Sequence, residues 1–99
     1  MKYSFDWNPD KEAKNRKKHG ISFRQAATVF RDPQHVAIYD EKHSQNEDRW
    51  ITLGIDGKGI VRVVMHTFEK TEKDVCRIRI ISARKATKSE VLQYQESSE

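Results

Sequence analysis

The residues best equipped for chemistry lie in Val75–Lys85, VCRIRIISARK. In an extended strand alternate side chains point to opposite faces, so Cys76, Ile78 and Ile80 share one side and Arg77 and Arg79 the other. Ser82 and Arg84 follow at the strand end. Arginine presents a planar fork that fits phosphate oxygens, and it keeps its proton near neutral pH. The pair therefore suits stabilisation of negative charge rather than proton transfer. His66 suits proton transfer: its ordinary pKa is about 6.5, and nearby cations would favour the neutral base. Glu47, directly before Asp48 and Arg49, is either a second base or simply the partner of Arg49. Trp50 and Phe68 offer aromatic faces for stacking on bases. Each of these has a plainer reading: a solvated strand face, a histidine without a task, an ordinary loop carboxylate. His19, His35 and His43 are dispersed, with no cysteine or carboxylate at metal-ligand spacing, so no metal and no cofactor is expected. There is no glycine-rich phosphate loop and no nucleophile elbow.

The elements that must hold these residues follow from local pattern. Tyr3–Trp7 alternates weakly and reads as a short strand. Asn8-Pro9-Asp10 starts a helix through Lys11–His19, with basic residues in its last turn and Gly20 as terminator. That helix has almost no apolar stripe, Ala13 being its main candidate, so it faces solvent or a ligand. Ser22-Phe23-Arg24-Gln25 matches a capping box and opens a second helix with Phe23, Ala26, Ala27 and Phe30 on one face. Asp32-Pro33 ends it, Val36–Tyr39 is a possible strand, and the polar stretch Asp40–Asp48 reads as a mobile loop. Arg49–Asp56 and Ile60–Glu69 alternate around the turn Gly57-Lys58-Gly59. Pairing Ile55 with Val61 sets Leu53 opposite Val63 and Ile51 opposite Met65 on one face. If that face continues into Cys76, Ile78 and Ile80, one side of the sheet is core. The other side then gathers Arg62, His66, Arg77 and Arg79, rimmed by Trp50 and Phe68. Thr87-Lys88-Ser89-Glu90 is a further capping box opening a helix over Thr87–Gln95, and the final Ser-Ser-Glu is expected to fray.

Bulk properties narrow the class. At 99 residues one domain spanning 1–99 is expected, with a thin core. A net charge of +4, from 19 basic and 15 acidic residues, favours a polyanion or an acidic protein partner without amounting to a polybasic tail. The one cysteine cannot form an internal disulfide, which suits a reducing cytoplasm. Residues 1–10 lack the apolar core of a signal peptide, and no run is long enough to span a membrane.

Several blocks together resemble one family. They are Trp7-Asn8-Pro9, Lys18-His19-Gly20-Ile21-Ser22-Phe23, Ala26-Ala27-Thr28-Val29-Phe30, Asp32-Pro33, Glu47-Asp48-Arg49-Trp50, and Arg79-Ile80-Ile81-Ser82-Ala83-Arg84 with Tyr94. In this order they are similar to the BrnT toxins of bacterial type II toxin–antitoxin systems. The resemblance implies an α+β, RelE-like ribonuclease fold: N-terminal helices, then an antiparallel sheet of about four strands, then a C-terminal helix. It implies growth arrest by RNA cleavage in the bacterial cytoplasm. It also implies neutralisation by a DNA-binding BrnA-type antitoxin, in a heterotetramer of two toxins and two antitoxins. Carried over by motif, Glu47, Arg49, His66, Arg79, Ser82 and Arg84 are the expected catalytic positions. Arg77, Arg62, Trp50, Lys17, Lys18 and His19 are the expected RNA contacts. The expected reaction is metal-independent attack of a ribose 2′-hydroxyl on its phosphate, with His66 or Glu47 as base and arginines stabilising the developing charge. A non-catalytic module that binds nucleic acid or a protein partner is the competing reading.

Overall fold

A computed structural model describes residues 2–97; the expected fraying of Ser98 and Glu99 lies outside them. The longest strand organises the rest. Val75–Lys85 (β6) is an interior strand of a six-stranded sheet and pairs with three of the others. On one side it pairs in parallel with Lys2–Trp7 (β1), which lies beside Val75–Ile80. On the other it pairs antiparallel with Val61–Thr67 (β4) and, nearer its start, with the short Glu69–Glu72 (β5). Arg49–Ile55 (β3) and Val36–Tyr39 (β2) complete the order β1-β6-β4-β3-β2. The fold is therefore α+β but differs from expectation in two respects. The sheet is mixed rather than antiparallel with about four strands, and the strand read at Tyr3–Trp7 joins it ahead of the helices, against the helices-first order that the resemblance implies. Tyr3, Phe5 and Trp7 supply the reason: they pack against the main core beside β6 and bring the chain start into the sheet.

The local signals act as their chemistry dictates. Asn8 accepts backbone hydrogen bonds from Asp10 and Lys11 at the start of Pro9–His19 (α1), and Gly20, at φ 71°, closes it with its N–H on the Arg16 carbonyl. Ser22 caps Phe23–Ala27 (α2) through the Gln25 N–H, and the helix tightens into a 3-10 turn over Thr28–Arg31. Gln25 does not complete a reciprocal box; its amide donates to Asp56 instead. Thr87 and Glu90 do form a full box ahead of Lys88–Ser97 (α3), each side chain accepting from the other's backbone N–H. The loop after β2 is organised as well. Asp40 is buried and accepts from the His43 backbone and ring, and Ser44 accepts from the Arg49 N–H.

The β3–β4 hairpin has the expected register, Ile55 with Val61, Leu53 with Val63, Ile51 with Met65. The next junction differs. Met65 pairs with Ser82 but His66 pairs with Ile80, so Ile81 is an extra, bulged residue on β6. The bulge changes which side chains share a face. Ile78, Ile80 and Ala83 lie with Val64 under α2 and the 3-10 turn, in a core with Ile21, Phe23, Ala26, Val29 and Phe30. Leu53 and Val63 lie on the other face, under Ala86 and Tyr94. The sheet thus carries a core on each side, the second covering only part of its face, and its two apolar stripes belong to two cores rather than one.

Candidate active site

A core on each face redistributes the expected site. His66 sits on the helix-covered face, 2% exposed, its ring packed edge-on against Phe30 at 4.9 Å. Nδ1 lies 2.8 Å from the Thr67 carbonyl, which can only accept, so Nδ1 carries the proton. Nε2 then accepts from the Thr52 hydroxyl at 2.6 Å. Burial pushes the His66 pKa down to about 4. This histidine is neutral and enclosed, and it lies across the sheet from Arg77 and Arg79. The expected convergence of His66 with those arginines is therefore corrected.

Arg62 and Trp50 go with it. Arg62 is 8% exposed and donates through Nε to Asp56 at 2.8 Å. Burial would raise the Asp56 pKa, but hydrogen bonds from Arg62, Ile60, Gln25 and Lys58 outweigh it and hold the carboxyl below its ordinary value. Arg62 is a structural cation, and removing it would leave a buried carboxylate unpaired. Trp50 pairs across the hairpin with His66 and packs edge-on against Tyr39 at 5.2 Å, so it also lies on the far face.

The opposite face holds the cleft. Arg77 and Arg79 line it with Glu47, Asp48, Thr67, Phe68 and Glu69, around a volume of about 300 Å³. Each comes from an element the sequence specifies. Arg77 and Arg79 stand on the exposed side of the β6 alternation. Thr67 ends β4, pairs with Arg49, and its hydroxyl accepts the Arg79 backbone N–H at 3.3 Å. Glu47 and Asp48 close the loop before β3, and Asp48 is steadied by the Tyr39 hydroxyl at 2.9 Å. Phe68, at the break between β4 and β5, leaves 43% of its surface exposed. Arg79 meets Asp6 at 3.4 Å, both side chains about half exposed. Among the described residues Arg77 belongs to no ion pair. The cleft therefore presents two arginines, among the described residues Arg77 in no ion pair and Arg79 engaged only through Nε by Asp6, beside three exposed carboxylates, Glu47, Asp48 and Glu69, and an aromatic ring.

The remaining expected residues are placed around this cleft. Glu47 also reaches Arg49, 3.5 Å away, in an adjoining hollow lined by Lys42, His43, Gln45 and Asn46. Arg49 Nε is buried without a hydrogen-bond partner. The bulge puts Ser82 and Arg84 on the same face as Arg77 and Arg79, farther along β6. Arg84, however, is held by both oxygens of Glu90, at 2.8 and 2.9 Å, and that hydrogen-bonded pair draws the Glu90 pKa down to about 2. Its fork is occupied. Lys18 and His19 lie off to the side, in a groove beside α1, and Lys17 lies outside that groove. Sequence reasoning missed Asp48, Thr67 and Glu69 as cleft residues. Thr67 was legible from the hairpin register, which sets it opposite Arg49. Among the described residues no group of three His, Cys, Asp or Glu side chains could hold a metal ion, and no helix is long and apolar enough to cross a membrane.

No curated protein matches the chain. Among solved structures, the ribonuclease toxin BrnT of Brucella abortus is similar in fold, with a TM-score of 0.59 at 20% identity, covering 89% of this chain and 100% of that one. A family model described as the ribonuclease toxin BrnT of type II toxin–antitoxin systems matches residues 7–90. That match takes in the cleft, most of both cores and the capping box of α3, and the chain belongs to this family of ribonuclease toxins.

Proposed function

We propose that the Arg77–Arg79 cleft is where RNA is cut, by a metal-independent transesterification in a RelE-like manner. Glu47 takes the proton of a ribose 2′-hydroxyl. The freed oxygen attacks the adjacent phosphorus, the bond to the 5′-oxygen breaks, and that oxygen takes a proton from the water of the open cleft. The product ends are a 2′,3′-cyclic phosphate and a 5′-hydroxyl. Arg79 and Arg77 face the extra negative charge of the pentacoordinate phosphorane. Phe68 stacks on a flanking base, and Arg49 orients Glu47. Ser82 lies on the same face as a further contact. His66 drops out of the reaction because it is enclosed on the other face. The requirement for a 2′-hydroxyl selects RNA over DNA. A BrnA-type antitoxin, in an assembly of two toxins and two antitoxins in the bacterial cytoplasm, completes the reading.

One observation carries it: two arginines, one in no ion pair among the described residues, share an open cleft with exposed carboxylates, of which Glu47 also reaches Arg49. The test is cleavage of RNA by purified protein in excess chelator, with the product ends identified. Arg79→Ala and Glu47→Gln are each expected to lower the rate by about 100-fold or more. Their melting temperatures should stay near that of the parent, since both side chains are exposed and their ion pairs weak. Products bearing a 5′-phosphate, or cleavage abolished by chelator, would overturn the mechanism.

A further inference from the structure

α1 is helical, almost devoid of apolar residues and heavily basic, and its only buried residue is polar. That residue, Asn15, shows what the helix is for. β1 stops pairing with β6 at Ile80, which leaves the far half of that strand edge open. The Asn15 amide donates to the Ala83 carbonyl at 2.8 Å and accepts the Ala83 N–H at 3.1 Å. A side chain thus replaces the missing strand and fixes how α1 is rotated against the sheet. At helical spacing Lys11, Lys14 and Lys18 share the face of Asn15. They line a groove of about 480 Å³, with His19 beside them and Ser82 and Arg84 across it.

The cations of this groove are available. Among the described residues, Lys11, Lys14 and Lys18 make no ion pair, and of the two carboxylates of α1, Asp10 and Glu12, Glu12 is engaged by Arg16 and the Phe23 N–H. Arg84 is held by Glu90 and forms a wall rather than a binding group. The groove also continues toward the cleft. Ser82 shares the face of Arg79, and at about 3.3 Å per residue the two are roughly 10 Å apart along β6.

We infer that this groove is a second RNA subsite, distinct from the cleavage cleft, in which Lys11, Lys14 and Lys18 hold the sugar–phosphate backbone of the single strand flanking the cut. The inference rests on the ribonuclease reading above. Lysines arranged as separate point charges along a groove track a backbone without reading sequence. A protein interface needs an apolar centre, and the groove offers only half-buried Ile81 and the small Ala83.

The test measures binding of a 2′-O-methylated RNA oligonucleotide, which lacks the attacking hydroxyl, across a salt series. The triple variant Lys11→Gln, Lys14→Gln, Lys18→Gln is expected to bind roughly tenfold more weakly or worse at low salt. The slope of log affinity against log salt should fall by about 2 in magnitude, as expected for three lost single-strand phosphate contacts. Lys58→Gln, in the turn between β3 and β4, removes a cation away from the groove and should leave the slope in place. The triple variant should also lose its preference for a long RNA over a dinucleotide too short to reach the groove. Unchanged slope and length preference in a triple variant, with cleavage by the parent intact, would overturn the groove alone. A parent protein that neither binds the oligonucleotide nor cuts RNA would overturn the groove together with the cleavage reading. Weakened binding of polyglutamate with undiminished RNA binding would assign the lysines to an acidic protein and so overturn the subsite.

Discussion

His66 has both ring nitrogens occupied, one by a carbonyl and one by a hydroxyl, in a pocket closed by Phe30. A base in that position has no route to a ribose, yet the same contacts make it important to the fold. His66→Leu keeps the volume but leaves the Thr67 carbonyl and Thr52 hydroxyl unpaired. The expected cost is about 2–3 kcal/mol, read as a lower urea midpoint with unchanged slope. RNA cleavage per folded molecule should persist; a loss comparable with that of Arg79→Ala would return the histidine to the site. Arg84 makes the complementary point. Its type suits phosphate, but Glu90, four residues into the last capping box, has taken both arms of its fork.

The central strand and the first helix decide where the site lies. β6 alternates cleanly to Ile80, takes in one extra residue at Ile81, and resumes with its faces exchanged relative to simple counting. Ser82 thereby reaches the arginine face, and Ala83 fills the core. Asn15 then stands in for a strand on the uncovered edge. Asn15→Ala is expected to cost about 2–4 kcal/mol, because the Ala83 N–H and carbonyl are left buried without partners. Denaturation should show this directly, and a cost under half a kcal/mol would mean that water substitutes for the amide. Close packing sets a second constraint on β3. A Cβ on Gly54 would stand 3.1 Å from the Val29 carbonyl oxygen and Cβ, so a larger residue there would push the 3-10 turn outward by a few tenths of an ångström.

At the scale of the molecule, a ribonuclease toxin of a type II system acts on RNA and is matched with an antitoxin. Its stability should fall steadily in acid. The His66 pKa is lowered in the fold, so its contribution is complete above about 6.5 and is lost as pH drops toward about 4. That 2.5-unit difference corresponds to about 3 kcal/mol. Glu90, drawn from 4.5 down to about 2 by Arg84, adds a second loss over that lower window. Asp56 and Asp32 are also held below their ordinary value; for Asp32, burial is outweighed by hydrogen bonds from Ile55, Tyr94 and Gln34. Urea midpoints at pH 7, 5.5 and 4 should decline in that order, and the decline between pH 7 and 5.5 should shrink in His66→Leu. A flat profile across that interval would mean that the buried ring is protonated as readily as a free one.

The sequence alone determined the helix starts at Asn8, Ser22 and Thr87, the hairpin register of β3 and β4, and the exposed arginine pair of β6. Each depends on neighbours within a few residues, or on a period that one strand can display. It could not determine which apolar stripe met which. Alternation says that a strand has two faces, not whether one or both are covered, and the Ile81 bulge breaks the count where β4 and β6 meet. Only tertiary packing, with α2 on one side and α3 on the other, decided that His66 and Arg62 are buried, with half-buried Trp50, on the face away from the open cleft of Arg77, Arg79 and Glu47. The physical reason is that strand alternation puts Thr52, Arg62 and His66 on the face that α2 covers, where each finds a hydrogen-bond partner, while the start of β6 leaves its other face uncovered.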